Sequence, residues 1–384
     1  MGGTFRGRAR LSALRGTIVA VPIALGLTVT LATPALAGVS PTPDHTATAD
    51  AGVYAIAQAG DRTIIGGLFT RVGGRPHASL AAILPDGSAD HTFSPATDGK
   101  VDALAVSSDG ATLFVGGLFN TVNGTARANL AALDANTGAL IDTWQADTTG
   151  TIPDVKALTV VGSTLYVGGR FGGIDGTPRK RFVALNSATG DIVPSFKPAP
   201  NGGITELKAS PDGSVIYAGG GFSVLGGQAR VSGGAVSTAD GLATSFAPTI
   251  TGGNAVTIGL SPDGLTYFVG TENNTVYAFD TGAADSLKWL VKMSGNTQAM
   301  AVSDTELYIG GHFSQYLPTK TQRPFLGSLN VADGSLTSWD TMATGGKLGV
   351  WALMIEGPHL HVGGLFRAFN GTPQPRYARF TGTP

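Results

Sequence analysis

The chain has 384 residues, a formal charge of −1 and only 13% charged residues, so it offers no electrostatic grip for nucleic acid or an anionic membrane. It contains no cysteine, which excludes disulfides, thiolate zinc sites and a thioether-linked copper radical centre, and leaves stability to core burial. Glycine accounts for 57 residues, a composition suited to short strands joined by many tight turns.

Residues 1–37 read as a signal peptide. Arg6, Arg8, Arg10 and Arg15 form a basic start with no acid among them, residues 17–31 are uncharged and largely apolar, and Ala35-Leu36-Ala37 supplies small residues for a signal peptidase. Cleavage is expected after Ala37. Pro22, Gly26 and Pro34 dilute the apolar run and argue against a retained anchor. The arginines are not adjacent and no cysteine follows, so neither a twin-arginine signal nor a lipoprotein is expected. The expected product is a secreted, extracellular, monomeric chain over residues 38–384, without stable membrane insertion. Its charge falls to −5 once the four arginines are removed.

The remainder is a repeat. A Gly-Gly pair begins at Gly66, Gly116, Gly168, Gly219, Gly310 and Gly363, with Gly270-Thr271 as a degenerate copy, at steps of 50, 52, 51, 51, 40 and 53 residues. In the clearest copy, residues 101–147, four β-rich runs follow one another: VDALAVS, LFVGGLF, NLAALD and LIDTWQ. Turn residues such as Asp109-Gly110 and Asn136-Thr137-Gly138 separate them. Four-stranded antiparallel units repeated radially are propeller blades. The pattern predicts an all-β, seven-bladed β-propeller. The last unit stops after its third strand at residues 376–380, and residues 39–48 are expected to supply its missing outer strand, closing the ring from the opposite terminus.

Residues 84–93 (LPDGSADHTF), 112–127 (TLFVGGLFNTVNGTAR) and 361–373 (HVGGLFRAFNGTP) resemble the delta-60 repeat, a β-propeller repeat of secreted bacterial proteins with a Kelch-like layout. The resemblance spans residues 39–380. It implies the fold and attaches no chemistry, because a fold alone does not fix function.

A residue repeated in most units serves the architecture, since a reaction needs its acid or nucleophile once. Phe69, Phe119, Phe171, Phe222, Phe313 and Phe366 are therefore expected in the core, and Phe93, Trp144, Phe196, Phe246, Trp289 and Trp339 between blades. Arg127, Arg179, Arg230 and Arg323, with His77 in the first unit, hold one position after the second strand. Local pairing with a carboxylate or carbonyl is expected for each, ahead of a ring of anion-binding guanidiniums. The Asp-Gly turns lack the alternating carboxylates of a calcium loop, and the glycine pairs lie within strands, away from any phosphate-cradling turn.

Function is sought where the repeat varies. The second position of each first strand carries Tyr54, Asp102, Lys156, Thr205, Val256, Gln298 and Trp351, near the mouth of the expected channel. Trp351 stands outside the repeated aromatic set and would neighbour Tyr54 in a closed ring. The candidate ligand-binding residues are Trp351, Tyr54, Asp102, Lys156 and Gln298. The fifth unit replaces a ten-residue insert with the tight Glu272-Asn273-Asn274 turn, leaving a notch in the rim. Glu206 and Lys208 are expected to pair with each other. No GxSxG, HExxH or cysteine nucleophile occurs, and His359 with His361 is a weak metal signal, so no cofactor and no metal are expected. LDANTGALIDTW, residues 133–144, is too local a likeness to quinoproteins to imply a quinone.

The leading expectation is a binding module for an extracellular polysaccharide, a cell-envelope component or another protein. Two alternatives stand beside it. One is a glycan-active hydrolase or lyase using Asp102 and Glu206, which would need two carboxylates about 5 to 10 Å apart. The other is a purely structural surface protein.

Overall fold

Strands of alternating apolar and polar residues, punctuated by Asp-Gly and Asn-Gly turns, fold into consecutive antiparallel hairpins. The computed structural model describes residues 1–4, 37–283, 286–345 and 349–383, and within them the chain is all β with no helix. The expected signal sequence, apart from its ends, lies outside the described residues.

Among the described residues, seven sheets follow the repeat. Their first strands are Val53–Ala59, Lys100–Val106, Val155–Val161, Ile204–Ala209, Ala255–Leu260, Thr297–Val302 and Val350–Glu356. Each pairs with the strand bearing the glycine pair, and that strand pairs with a third. Each first strand lies against the first strand of the next sheet, and Val350–Glu356 lies against Val53–Ala59.

The fourth strand is shorter than the sequence predicts. Leu287–Lys292 is a full outer strand in the fifth sheet, whereas LIDTWQ contributes one bridge, Leu133 to Leu140. The reason is a turn: the Trp144 amide donates to Ile141 O at 3.0 Å, ending the ladder and driving the indole inward. Trp144 is buried, as are its repeat equivalents Phe93, Phe196, Phe246, Trp289 and Trp339 and all six phenylalanines that follow the glycine pairs.

The core is distributed between neighbouring sheets. One cluster joins Ile64, Leu80 and Phe93 to Val101, Leu113 and Val115 of the next sheet, and the pattern recurs along the chain. A further cluster joins Val53, Ile65 and Phe69 of the first sheet to Tyr377 of the last.

The glycine pair explains how sheets come so close. A Cβ on Gly66 would sit 2.5 Å from Val101 Cγ1 of the following sheet, and one on Gly116 would sit 2.5 Å from Val155 Cγ1. The same approach recurs between Gly363 and Val53, where the distance would be 2.7 Å. The second glycine faces its own sheet: a Cβ on Gly117 would fall 2.1 Å from Lys100 O. Neither position has room for a side chain.

The segment after residue 36 joins the last sheet. Ala37–Val39 pairs antiparallel with Tyr377–Thr383, giving that sheet four strands. Regular pairing covers less than the expected residues 39–48, because Pro41 and Pro43 carry no N–H. Beyond it the contact continues through single bonds from the Ser40 amide to Thr381 O and from the Asp44 amide to Arg379 O. Asp44 also accepts from Arg379 Nε at 2.7 Å, and Trp339 Nε1 donates to Ser40 O at 3.3 Å.

His361 is buried in this sheet, with Nδ1 2.8 Å from the Tyr377 hydroxyl. Burial, reinforced by the charges of His359 and Arg379, lowers its pKa to about 3, from 6.5 in an unstructured chain. The unfolded chain therefore takes up this proton first as pH falls. The contribution of His361 to stability is complete above pH 6.5 and is lost as pH drops toward 3, at up to about 1.4 kcal/mol per pH unit. Melting temperatures measured at pH 7 and pH 5 should fall for the wild type and fall less for His361→Gln; equal falls would assign the acid sensitivity elsewhere. Gly117→Ala should destabilise by about 3 kcal/mol in urea unfolding, since the strand must move off Lys100 O. A loss below about 0.5 kcal/mol would contradict the close approach.

Candidate functional site

In all seven first strands the ladder to the glycine strand slips by one residue, always at the second position of the equivalent stretch. The residues skipped are Tyr54, Asp102, Lys156, Thr205, Val256, Gln298 and Trp351. A bulge re-aims its side chain out of the sheet's regular alternation. All seven line one cavity of about 350 Å³, together with Lys100, Glu206 and Lys208. The five candidate ligand-binding residues are thus brought to one place.

Tyr54 and Trp351 meet as expected, edge to face, with ring centroids 5.6 Å apart. Trp351 also packs against His312 at 5.1 Å, so its indole spans the first and sixth sheets. The indole Nε1 is buried with no hydrogen-bond partner among the described residues. Lys100 Nζ stands 4.7 Å from the centre of the Tyr54 ring, a cation–π contact. Burial, with the nearby Asp102 charge adding to it, raises the Tyr54 pKa, so the phenol stays a neutral donor.

Beside the aromatics runs a chain of charges. Asp102 Oδ1 accepts from Lys100 Nζ at 2.7 Å and Oδ2 from Lys156 Nζ at 3.0 Å. Lys156 also lies 3.4 Å from Asp154, which Arg170 holds at 2.5 Å. Burial alone would raise the Asp154 pKa, but the Arg170 and Lys156 contacts outweigh it and hold the carboxyl below the usual value. Across the cavity, Glu206 Oε1 pairs with Lys208 Nζ at 2.7 Å. Its Oε2 accepts from Thr257 Oγ1 at 2.5 Å and the Ile258 amide at 2.9 Å. The expected Glu206–Lys208 pair is present, and a further tie runs to the next sheet.

The arrangement suits recognition. Each ammonium keeps donors to spare, and the aromatic pair supplies an apolar flank. It suits acid-base chemistry less well, because both oxygens of Asp102 and of Glu206 are already engaged. Lys100 and His312 escaped the sequence reading. Lys100 sits two residues before Asp102 and thus outside the position compared across units, and His312 occupies the variable slot after a glycine pair, where Leu68 and Leu118 stand elsewhere.

At the rim, six short hairpins among the described residues, such as Thr121–Val122 with Thr125–Ala126, follow the glycine strands. The fifth sheet has none: Thr266–Thr271 turns directly into Thr275–Asp280. Of the repeated arginines, Arg127, Arg230 and Arg323 reach fourth-run carbonyls as expected, through bonds to Asp142 O, Thr244 O and Thr337 O. Arg179 departs from the pattern. Among the described residues its side chain bonds only to its own neighbour, Pro178 O, at 3.2 Å.

Comparison with known proteins bears on the fold. Residues 59–93 match the family model described as a domain of unknown function (DUF5122) beta-propeller. The structure of U3-55K superposes with a TM-score of 0.60 at 12% identity, over 89% of this chain and 100% of that one. The computationally designed Ika8 protein gives 0.55 at 11% identity, over 91% and 99%. No curated protein matches by sequence. The short family match and the two shared folds support a β-propeller family for this chain.

Proposed function

We propose that the chain is a secreted, seven-bladed propeller of the delta-60 repeat kind, acting as a non-catalytic binding module for an extracellular saccharide, either a polysaccharide or a glycan of the cell envelope. One observation carries the binding reading. Seven equivalent bulges converge on one cavity, yet they present seven different side chains, Tyr54, Asp102, Lys156, Thr205, Val256, Gln298 and Trp351. Packing needs alone would favour like residues at like positions. A ligand without sevenfold symmetry needs different ones.

A saccharide combines hydroxyls with apolar C–H faces. Lys100 and Lys156 can donate to its oxygens, and the Trp351–Tyr54 flank can meet a ring face. The hydrolase alternative is disfavoured by the engagement of Asp102 and Glu206 with lysines and, for Glu206, with a neighbouring sheet. Support for ring closure comes from the contact between the last and first inner strands and from the pairing of Ala37–Val39 with Tyr377–Thr383. Cleavage after Ala37 leaves the Val39 pairing and the Ser40 and Asp44 bonds in place.

Two measurements test this reading. The full chain should be retained on at least one member of a polysaccharide panel, and Trp351→Ala with Tyr54→Ala should weaken retention about tenfold while leaving the melt within a few degrees. No retention on any member, or the appearance of new reducing ends, would overturn it. Deleting residues 38–49 should lower the melting temperature by ten degrees or more; an unchanged melt would remove the closing strand from the account.

A further inference from the structure

A second cavity, of about 400 Å³, opens at the rim of the third sheet, outside the saccharide reading and independent of it. Pro178, Arg179, Lys180, Lys197, Pro198 and Pro200 line it, over a floor formed by the buried Phe182 and Phe196. Three cations therefore surround a largely apolar hollow. None of the three forms an ion pair among the described residues, and Asp240, whose carbonyl accepts from the Lys197 amide, has its carboxylate engaged by the Leu242 amide.

The repeat shows which bond Arg179 lacks. At this position Arg127, Arg230 and Arg323 lay a guanidinium nitrogen on the carbonyl two residues before the fourth-run aromatic, and Arg323 adds an ion pair with Asp340 at 2.9 Å. In the third sheet Pro194 supplies the equivalent carbonyl and Lys197-Pro198-Ala199-Pro200 follows the aromatic Phe196. The run keeps the turn of its equivalents, with the Phe196 amide donating to Val193 O at 3.3 Å, yet Arg179 makes no hydrogen bond to it among the described residues. The Nε of Arg179 is buried without a partner, as it is in Arg127 and Arg323, and Nη1 donates only to the neighbouring Pro178 O at 3.2 Å. A guanidinium in the wall of a hollow, with a buried unpartnered Nε and flanked by two ammonium groups, matches a carboxylate through the parallel Nε and Nη2 donors. The pyrrolidine walls match an apolar body.

We propose that this rim cavity is a binding site for a small organic carboxylate carrying a planar or branched apolar group, with Arg179 as its anchor and Lys180 and Lys197 as supporting charges. The same chemistry occurs in a free aryl carboxylate and at the C-terminus of a peptide ending in an apolar residue. Neither needs the channel mouth.

The test uses the full chain and 3-phenylpropionate as probe, with titration followed calorimetrically at low salt. Saturable binding is expected, with 3-phenylpropionamide at least tenfold weaker, the ratio expected for loss of one charge-assisted pair. Arg179→Gln and, separately, Lys197→Ala should weaken the acid about tenfold and about threefold with unchanged melts, whereas Arg127→Gln should leave binding unaltered. No saturation up to 10 mM probe, equal binding of acid and amide, or an Arg179→Gln variant that binds like the wild type overturns the proposal. A second arm compares acetyl-Ala-Ala-Phe with its C-terminal amide. Tighter binding of this acid than of 3-phenylpropionate assigns the carboxylate to a peptide end; weaker binding assigns it to a free molecule, and both uphold the site.

Discussion

The close approach of each sheet's first strand to the glycine of the sheet before it is the constraint on which the rest depends. A single Cβ at Gly66 or Gly116 would collide with Val101 or Val155. Because the glycine is bare, the valine seats directly on the neighbouring sheet, and the apolar clusters form between sheets instead of at a common centre. The second glycine meets a different neighbour: a Cβ on Gly117 would fall 2.1 Å from the backbone oxygen of Lys100 in its own sheet. A motif that looks like one device is therefore two. One sets the spacing between sheets, and the other the approach of the first strand within a sheet.

That division of labour separates architecture from recognition. The packing residues recur because each interface is the same problem solved again. The bulged residues carry little packing duty and are free to differ, so Tyr54, Asp102, Lys156 and Trp351 stand at equivalent places with unrelated chemistry. The charges within the cavity compensate one another locally. Asp102 lies between Lys100 and Lys156, and Glu206 pairs with Lys208, which keeps a crowded set of ions close together at the mouth.

Where the repeat is broken, the physics of the break says what changes. In the fifth sheet the loss of the hairpin leaves a full outer strand, Leu287–Lys292, with Leu287 and Leu290 exposed. Its lysines at 288 and 292 protect an edge that would otherwise pair with another chain. In the third sheet Arg179 lacks the bond to a fourth-run carbonyl that Arg127, Arg230 and Arg323 make, although the turn before Phe196 is kept. The expectation of local pairing held for the arginines at 127, 230 and 323, whose partners are main-chain carbonyls set by a regular turn. Arg179 also pairs locally, with the carbonyl of its own neighbour Pro178.

The sequence by itself determined the strand order, the position of the glycine pairs, the buried aromatics and the variable second position, because each is a local property repeated often enough to be read by its period. It also indicated Glu206 beside Lys208, two residues apart on one strand. Only the tertiary structure decided that the variable position is a bulge, that the fourth run shrinks to a bridge before Trp144, and that Lys100 covers Tyr54 while His312 backs Trp351. These depend on how far one sheet sits from the next and on the register across a pair of strands. Distances between residues about 40 to 300 positions apart leave no periodic trace in a single chain, so the composition of the cavity had to come from the packing itself.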